Sequence, residues 1–258
     1  MALEQVEGII LRTYPLGDTS RIAVLYTLQR GLVRGVAKGS RQPRSRFAGV
    51  LEPLSRIRAM IYVKEGRELD LMSSADLVES LARVEWGLEK ITHCQAAIEL
   101  VDRLVWGEES HEALYYLLLK ALRRLAKVPE DGLSTVTLAF QLQASALLGY
   151  RPALDRCASC GREEKTWRQF GPEEGGVLCG RCAVGETMVI GISPLVSTEF
   201  SRLLALDLES DEIGSAKRSG ELLKIMEVYL QAHFQRFGGL RSLDLLRDLE
   251  APLGGPQA

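Results

Sequence analysis

Residues 21–38 read RIAVLYTLQRGLVRGVAK. An apolar run (21–28) and an alternating run (32–38) flank the short connection Gln29-Arg30-Gly31. Aliphatic and β-branched runs of this length, broken by a glycine, read as two strands joined by a turn. Working outward, residues 6–12 supply an aliphatic strand before the pair. Residues 56–63 (RIRAMIYV) supply a fourth after a long connection, and 69–77 a fifth beyond a Glu-Gly turn signal within 64–67. Five short strands with a long connection between the third and fourth outline an OB-type barrel; an SH3-like barrel fits the same pattern.

From Leu81 onward the period becomes helical. Leu81, Val84, Leu88, Ile91, Ile98, Val101 and Leu104 recur at spacings of three, four or seven, which is one buried stripe along a helix. Further helices are expected over 111–127 and over 133–148, the latter stopped by Gly149. Another starts at Ser193-Pro194, with Ser as N-cap and Pro in the first turn. Two more are expected over 216–237 and 240–249, and the tail 251–258 (APLGGPQA) is expected to be disordered. The fold class is therefore α+β. A β-barrel over 1–79 is followed by an all-α domain over 80–258, interrupted by a cysteine-bearing element at about 151–190.

Net charge is −2 over 258 residues, but it is unevenly spread. Residues 1–75 hold twelve Lys/Arg against seven Asp/Glu, a net of +5, and the remainder holds twenty against twenty-seven, a net of −7. Arg30, Arg34, Lys38, Arg41, Arg44 and Arg46 fall within seventeen residues that contain no acid, and Arg56 and Arg58 follow. Alternation puts Arg34, Val36 and Lys38 on one face of a strand, and the loop 39–46 (GSRQPRSR) adds three more cations. Donors spread in this way suit a phosphate backbone, which needs charge along a path rather than base-edge geometry. The candidate nucleic-acid-binding residues are Arg34, Lys38, Arg41, Arg44, Arg46 and Arg56. Tyr14, Tyr26, Phe47 and Tyr62 lie nearby and could stack bases, although each is read first as core.

Four of the five cysteines form the pairs Cys157-Ala-Ser-Cys160 and Cys179-Gly-Arg-Cys182, separated by eighteen residues. This is zinc-site spacing. Each CxxC sets two thiolates on one turn, and two turns complete a tetrahedral shell with no open position, so the Zn2+ would be structural. Trp167 and Phe170, on an intervening hairpin, are expected to cover the site. Cys94 reads as a packed core thiol. Catalysis is not expected. None of His93, His111 and His233 lies in an H-x-E motif, and neither a phosphate-binding loop nor a G-x-S-x-G elbow is present. The chain has no apolar run near the ~20 residues a membrane helix needs and no basic-then-apolar start, so a cytoplasmic location is expected.

The segments EGIILRTYPLGDTSRIAVLYT (7–27) and VAKGSRQPRSRFAGVLEPLSRI (36–57), the CASCG…CGRC pairs, and the later VYLQAHF and RSLDLL resemble the RecO family of bacterial DNA-repair proteins. That resemblance implies an N-terminal OB-fold and a helical domain interrupted by a zinc-finger-like element. It implies binding of single- and double-stranded DNA, annealing of complementary strands and nucleoid association when bound. It also implies partnership with RecR and contact with the acidic C-terminal tail of single-strand-binding protein, so that RecA can be loaded on coated DNA. The family's basic positions carry over to Lys38, Arg41, Arg44 and Arg46, while Gln42 stands where a further basic residue would be expected. An acidic tail would want cations beside an apolar notch, and Lys120, Arg123, Arg124 and Lys127 on one predicted helix are candidates. Two rival classes remain open: an RNA-binding or ribosome-associated OB/zinc-ribbon module, and a structural adaptor whose basic loop meets an acidic protein.

Overall fold

The computed structural model describes residues 2–64, 66–107, 109–210 and 213–250; the tail expected to be disordered lies outside them. The chain divides into two compact units, Met1–Ala126 and Lys127–Ala258. The change from strand to helix thus comes well before the end of the first unit. The first unit runs on past the last strand through two helices.

The first unit is built on β1 (Ala2–Leu16), β2 (Ser20–Thr27), β3 (Gly31–Ala37), β4 (Ser55–Val63) and β5 (Asp70–Ser80). They close a barrel in the order β1-β2-β3-β5-β4, with β3 and β5 parallel and all other pairs antiparallel. This is the OB arrangement. β1 is longer than its apolar run predicts because it serves two neighbours, pairing with β4 through its first half and with β2 through its second. At the overlap Gly8 is partnered on both sides, and a Cβ there would lie 3.0 Å from both the Tyr26 carbonyl oxygen and Thr27 Cγ2. A bulge between Ile10 and Arg12 bends the strand around the barrel.

Alternate residues fill the interior: Val6 and Ile10, Ala23 and Leu25, Val33 and Ala37, Ile57, Ala59 and Ile61, and Met72 and Ala75. Phe47 and Leu51, from the turns between β3 and β4, join the same core. The outward residues Ile9, Val24 and Tyr26 lie outside that cluster and are nevertheless buried. Helices α1 (Leu88–Leu104) and α2 (Glu112–Lys127) belong to this side. The Tyr26 ring lies 6.3 Å from Tyr115, its hydroxyl donates to the His111 carbonyl at 3.2 Å, and Arg12 pairs with Asp102 at 2.8 Å. α1 starts seven residues later than its apolar stripe predicts: 81–87 is turn and extended chain, and Val84 is fully exposed.

The second unit holds α3 (Glu130–Leu147), a small sheet of β6 (Gln169–Gly171), β7 (Gly176–Leu178) and β8 (Ile190–Gly191), then α4 (Leu195–Leu204), α5 (Ser219–His233) and α6 (Arg241–Glu250). α4 starts one residue later than expected: Pro194, not Ser193, is its N-cap, and Ser193 Oγ accepts from the Leu195 N–H at 3.2 Å in the turn before the helix. α5 is shorter than its apolar pattern at both ends. Arg218 turns left-handed just before it, and a turn follows His233.

His93 on α1 is 6% exposed, and burial pushes its imidazole down to about 4 from an ordinary 6.5. The native state binds this proton less readily than the unfolded chain. The resulting stability is therefore intact above pH 6.5 and is lost as pH falls from there through 4. The loss should reach roughly 3 kcal/mol at its limit. Urea unfolding across this window should show a smaller pH slope in His93→Gln than in the parent chain; equal slopes would refute the assignment.

Candidate nucleic-acid interface and metal centre

Outward residues of β3 are Arg34, Val36 and Lys38 at and beyond its end; the two cations are exposed and Val36 is half-buried. The chain then turns on itself, the Gln42 N–H donating to the Gly39 carbonyl at 3.1 Å. Arg41 pins this loop to the β1–β2 turn: its backbone N–H donates to Thr19 O at 2.9 Å and its Nη1 to Gly17 O at 3.0 Å. Arg44 and Arg46 are exposed beyond the pin, and the Arg46 guanidinium lies 5.3 Å from the ring centroid of Phe47, itself buried in the barrel core. Arg34, Lys38, Arg41, Arg44 and Arg46 thus lie along one strand face and its following loop. None of the five forms an ion pair among the described residues.

Arg56, the sixth candidate, is placed differently. Its guanidinium donates to Glu7 Oε1 at 2.6 and 3.0 Å and to Glu79 Oε2 at 3.4 Å, and its side chain is only 20% exposed. It belongs to a chain of charges that continues from Glu79 to Arg123 of α2 at 2.6 Å. The Arg123 hydrogen bond holds the Glu79 carboxyl below its usual range. Arg56 is therefore tied into an ion-pair network, unlike the other five candidates, which have no ion-pair partner among the described residues. The same network takes in one of the partner-tail candidates. Arg123 is committed to Glu79, Arg124 is buried, Lys120 is half-buried and Lys127 is exposed, so the four do not share one open face.

A groove that no local pattern signals lies beside Lys38. Parallel pairing sets Leu71 opposite Val36, and antiparallel pairing sets Tyr62 opposite Leu71. These three residues line a cavity of about 480 Å³ together with Lys38, Lys64, Arg67, Glu68, Leu69 and Asp70. Tyr62, read first as core, is 36% exposed here. Tyr26 and Phe47 are core, as read.

In the second unit Cys157, Cys160, Cys179 and Cys182 converge, with all four Sγ atoms within 4.8 Å of one another. The first CxxC turn closes when the Gly161 N–H donates to the Cys157 carbonyl at 2.8 Å, with Gly161 at φ +72°, a conformation that favours glycine. Four sulfurs ~2.3 Å from one tetrahedral ion would stand ~3.8 Å apart, and Cys160 and Cys179 are 3.9 Å apart. The donor set fits a single metal ion. Thiol acidities point the same way. Burial opposes ionisation of Cys157, but N–H groups of Cys179, Cys160 and Ser159 outweigh it and bring the thiol down to about 6. At Cys182 a hydrogen bond from Ser159 favours the thiolate, yet the sulfurs of Cys160 and Cys179 prevail and push it up to about 12. Sulfurs this close cannot all ionise unless a cation joins them. Trp167 and Phe170 are buried, but Phe170 meets Phe200 and Tyr229 edge-on, at 6.3 and 6.0 Å, so it ties the hairpin to α4 and α5.

Comparison with known proteins agrees with this arrangement. The sequence matches the families described as Recombination protein O N terminal over residues 1–81 and Recombination protein O C terminal over residues 87–244. The chain belongs to the RecO family. It is similar to the DNA repair protein RecO of Symbiobacterium thermophilum, with 33% identity over 96% of this chain and 99% of the relative. Its identity to the RecO of Pelotomaculum thermopropionicum is 35% over 100% and 99%, and to that of Thermobifida fusca 34% over 95% and 99%. The match with the RecO family covers both the barrel and the cysteine-bearing unit. Among the described residues no helix is long and apolar enough to cross a membrane.

Metal analysis of protein purified without chelator should return about one ion per chain. Cys157→Ser should lose it and raise protease sensitivity across 151–190; full metal content in that variant would remove Cys157 from the ligand set.

Proposed function

We propose that this chain is a non-catalytic accessory protein of recombinational repair. It binds single- and double-stranded DNA through the basic face of its barrel and anneals complementary strands. With RecR, it helps load RecA onto DNA coated by single-strand-binding protein, whose acidic C-terminal tail it contacts. The observation that carries this reading is the run of five exposed cations, Arg34, Lys38, Arg41, Arg44 and Arg46, with no carboxylate partner among the described residues. Annealing needs no covalent chemistry. Two strands repel, cations displace their condensed counterions, and complementary bases held close then pair spontaneously.

The metal in this reading is Zn2+, held by four thiolates and therefore closed to substrate. Its work is to fix the hairpin that Phe170 anchors. The protein acts in the cytoplasm, at the nucleoid when bound to DNA.

Annealing of oligonucleotides coated with single-strand-binding protein, measured across a salt series, tests the reading. Single-strand affinity should fall with salt at a log–log slope of about −0.7 per phosphate contacted. Replacing Arg41, Arg44 and Arg46 together with Ala should flatten that slope by about two units and slow annealing. An unchanged slope would exclude the loop from the binding surface. Equal affinity for RNA without accelerated DNA annealing would favour an RNA-binding module instead.

A further inference from the structure

We propose that Cys160 is a reversible oxidation site: a hydroperoxide attacks its sulfur first, a disulfide forms inside the four-cysteine cluster, and the metal ion is released. The inference rests on the preceding reading that these sulfurs hold a metal, and adds a point of entry to that site.

The five cysteines differ in access. Cys94, Cys157 and Cys179 are buried, Cys182 is half-buried and Cys160 is exposed. Each CxxC turn thus buries its first cysteine, and the first turn presents its second to solvent. Susceptibility to oxidation follows thiolate character, access and a second sulfur within reach. A metal-bound sulfur is a thiolate outright. Cys160 has the access, and Cys179 Sγ lies 3.9 Å from its own Sγ, with all four sulfurs within 4.8 Å of one another. Cys94 meets none of these conditions: it stands outside the cluster, and burial pushes its thiol up to about 12.

The chemistry balances on the chain and the oxidant alone. The Cys160 thiolate attacks one oxygen of hydrogen peroxide, the O–O bond breaks and hydroxide leaves, so that Cys160 becomes a sulfenic acid. A second thiolate, for which Cys179 is placed, attacks the Cys160 sulfur and expels another hydroxide as the S–S bond forms. Two thiolates lose two electrons in all, the peroxide is reduced, and its two hydroxides take up two protons to become water. Two of the four sulfurs are then lost as ligands, too few for a closed tetrahedral site.

Much of the surrounding element is tied by bonds that do not pass through sulfur. The Ala158 N–H donates to the Val177 carbonyl at 2.8 Å, the Ile192 N–H donates to the Arg168 carbonyl at 2.9 Å, and Phe170 keeps its ring contacts with α4 and α5. The stretch after the second pair is held less. A single 3-10 turn, Ala183–Gly185, follows Cys182 directly, the Ala183 N–H donating to the Cys179 carbonyl at 3.1 Å, and Val184 and Met188 are exposed. Loss of the metal therefore loosens 180–188 while 169–178 holds, and a frame that survives oxidation allows reduction to rebuild the site.

The test uses the full chain purified with its metal. Hydrogen peroxide is added stoichiometrically, metal release is followed with a colorimetric chelator, and disulfides are mapped by peptide mass spectrometry. The first disulfide should contain Cys160, with Cys179 as its expected partner; Cys94 should stay reduced, and about one ion per chain should be released. Hydrogen exchange should quicken over 180–188 and stay slow over 169–178. A thiol reductant with added Zn2+ should restore the metal content. Cys160→Asp keeps a ligand that zinc accepts and peroxide cannot oxidise, so its metal should leave at least about tenfold more slowly than the parent's, whereas Cys182→Asp should release at the parent's rate. Release from Cys160→Asp as fast as from the parent, or a first disulfide without Cys160, would overturn the proposal. So would metal content that reductant and Zn2+ fail to restore, which would make the reaction damage rather than a reversible step. An untreated parent chain without metal would instead overturn the metal reading, and the disulfide map of its four thiols would still decide whether Cys160 is attacked first.

Discussion

A five-stranded barrel has interior room for little more than one set of side chains, so every second residue on each strand is forced outward. What covers those outward residues decides what the domain can do. On β1 and β2 they are Ile9, Val24 and Tyr26, and they are buried on the side where Tyr26 meets Tyr115 and Arg12 meets Asp102. On β3 they are Arg34, Val36 and Lys38, and nothing covers the cations. Closure through the parallel β3–β5 pair then sets Leu71 and Tyr62 beside Val36. The open side of the barrel is thus basic along one strand and apolar across three.

Holding α2 on the covered side takes more than apolar contact. Glu7, Arg56, Glu79 and Arg123 form an unbroken chain of charges from β1 through β4 and β5 to the helix, and the Tyr115 hydroxyl donates to the same Glu7 carboxylate at 3.3 Å. Removing Glu7 or Arg56 would strand the other in a poorly solvated place, which costs more than the pair contributes, whereas the outer Glu79–Arg123 pair is exposed to solvent and contributes little. The burial of the Tyr115 hydroxyl shows in its acidity, pushed up to about 12.

What the sequence made legible follows the range of the interaction. Alternation along β3 is local, and it placed Arg34, Val36 and Lys38 on one face. The cysteine pairs are also local, since each CxxC turn is made by its own few residues, and only their convergence needs the hairpin between them. The ion pairs of Arg56 were not legible because its partners lie 49 and 23 residues away, so in the one-dimensional pattern it looks as free as Arg34. The burial of Arg124 was not legible because a run of Lys and Arg on a helix does not say which face is turned inward. The late start of α1 escaped for a similar reason: Val84 fits the helical period, but β5 runs to Ser80 and the chain needs a turn before Leu88. The groove was invisible because it depends on the register of a parallel pair joined through β4, which no local signal encodes. The same limit applies to unit boundaries: the period changes at the end of β5, while compactness extends to Ala126.

Ion pairing sharpens the charge argument beyond what a net value conveys. Of the twelve cations in residues 1–75, Arg12, Arg21, Arg30, Arg56 and Arg58 each face a carboxylate within 4 Å. The seven others, Arg34, Lys38, Arg41, Arg44, Arg46, Lys64 and Arg67, have no such partner among the described residues. They sit on β3, on the loop that follows it and on the walls of the adjacent groove. Their field is therefore set by position rather than by the total, and a chain of net −2 can present a locally concentrated positive surface. A polyanion that approaches this face of the barrel meets seven cations that have no ion-pair partner among the described residues, with Glu68 beside them in the groove.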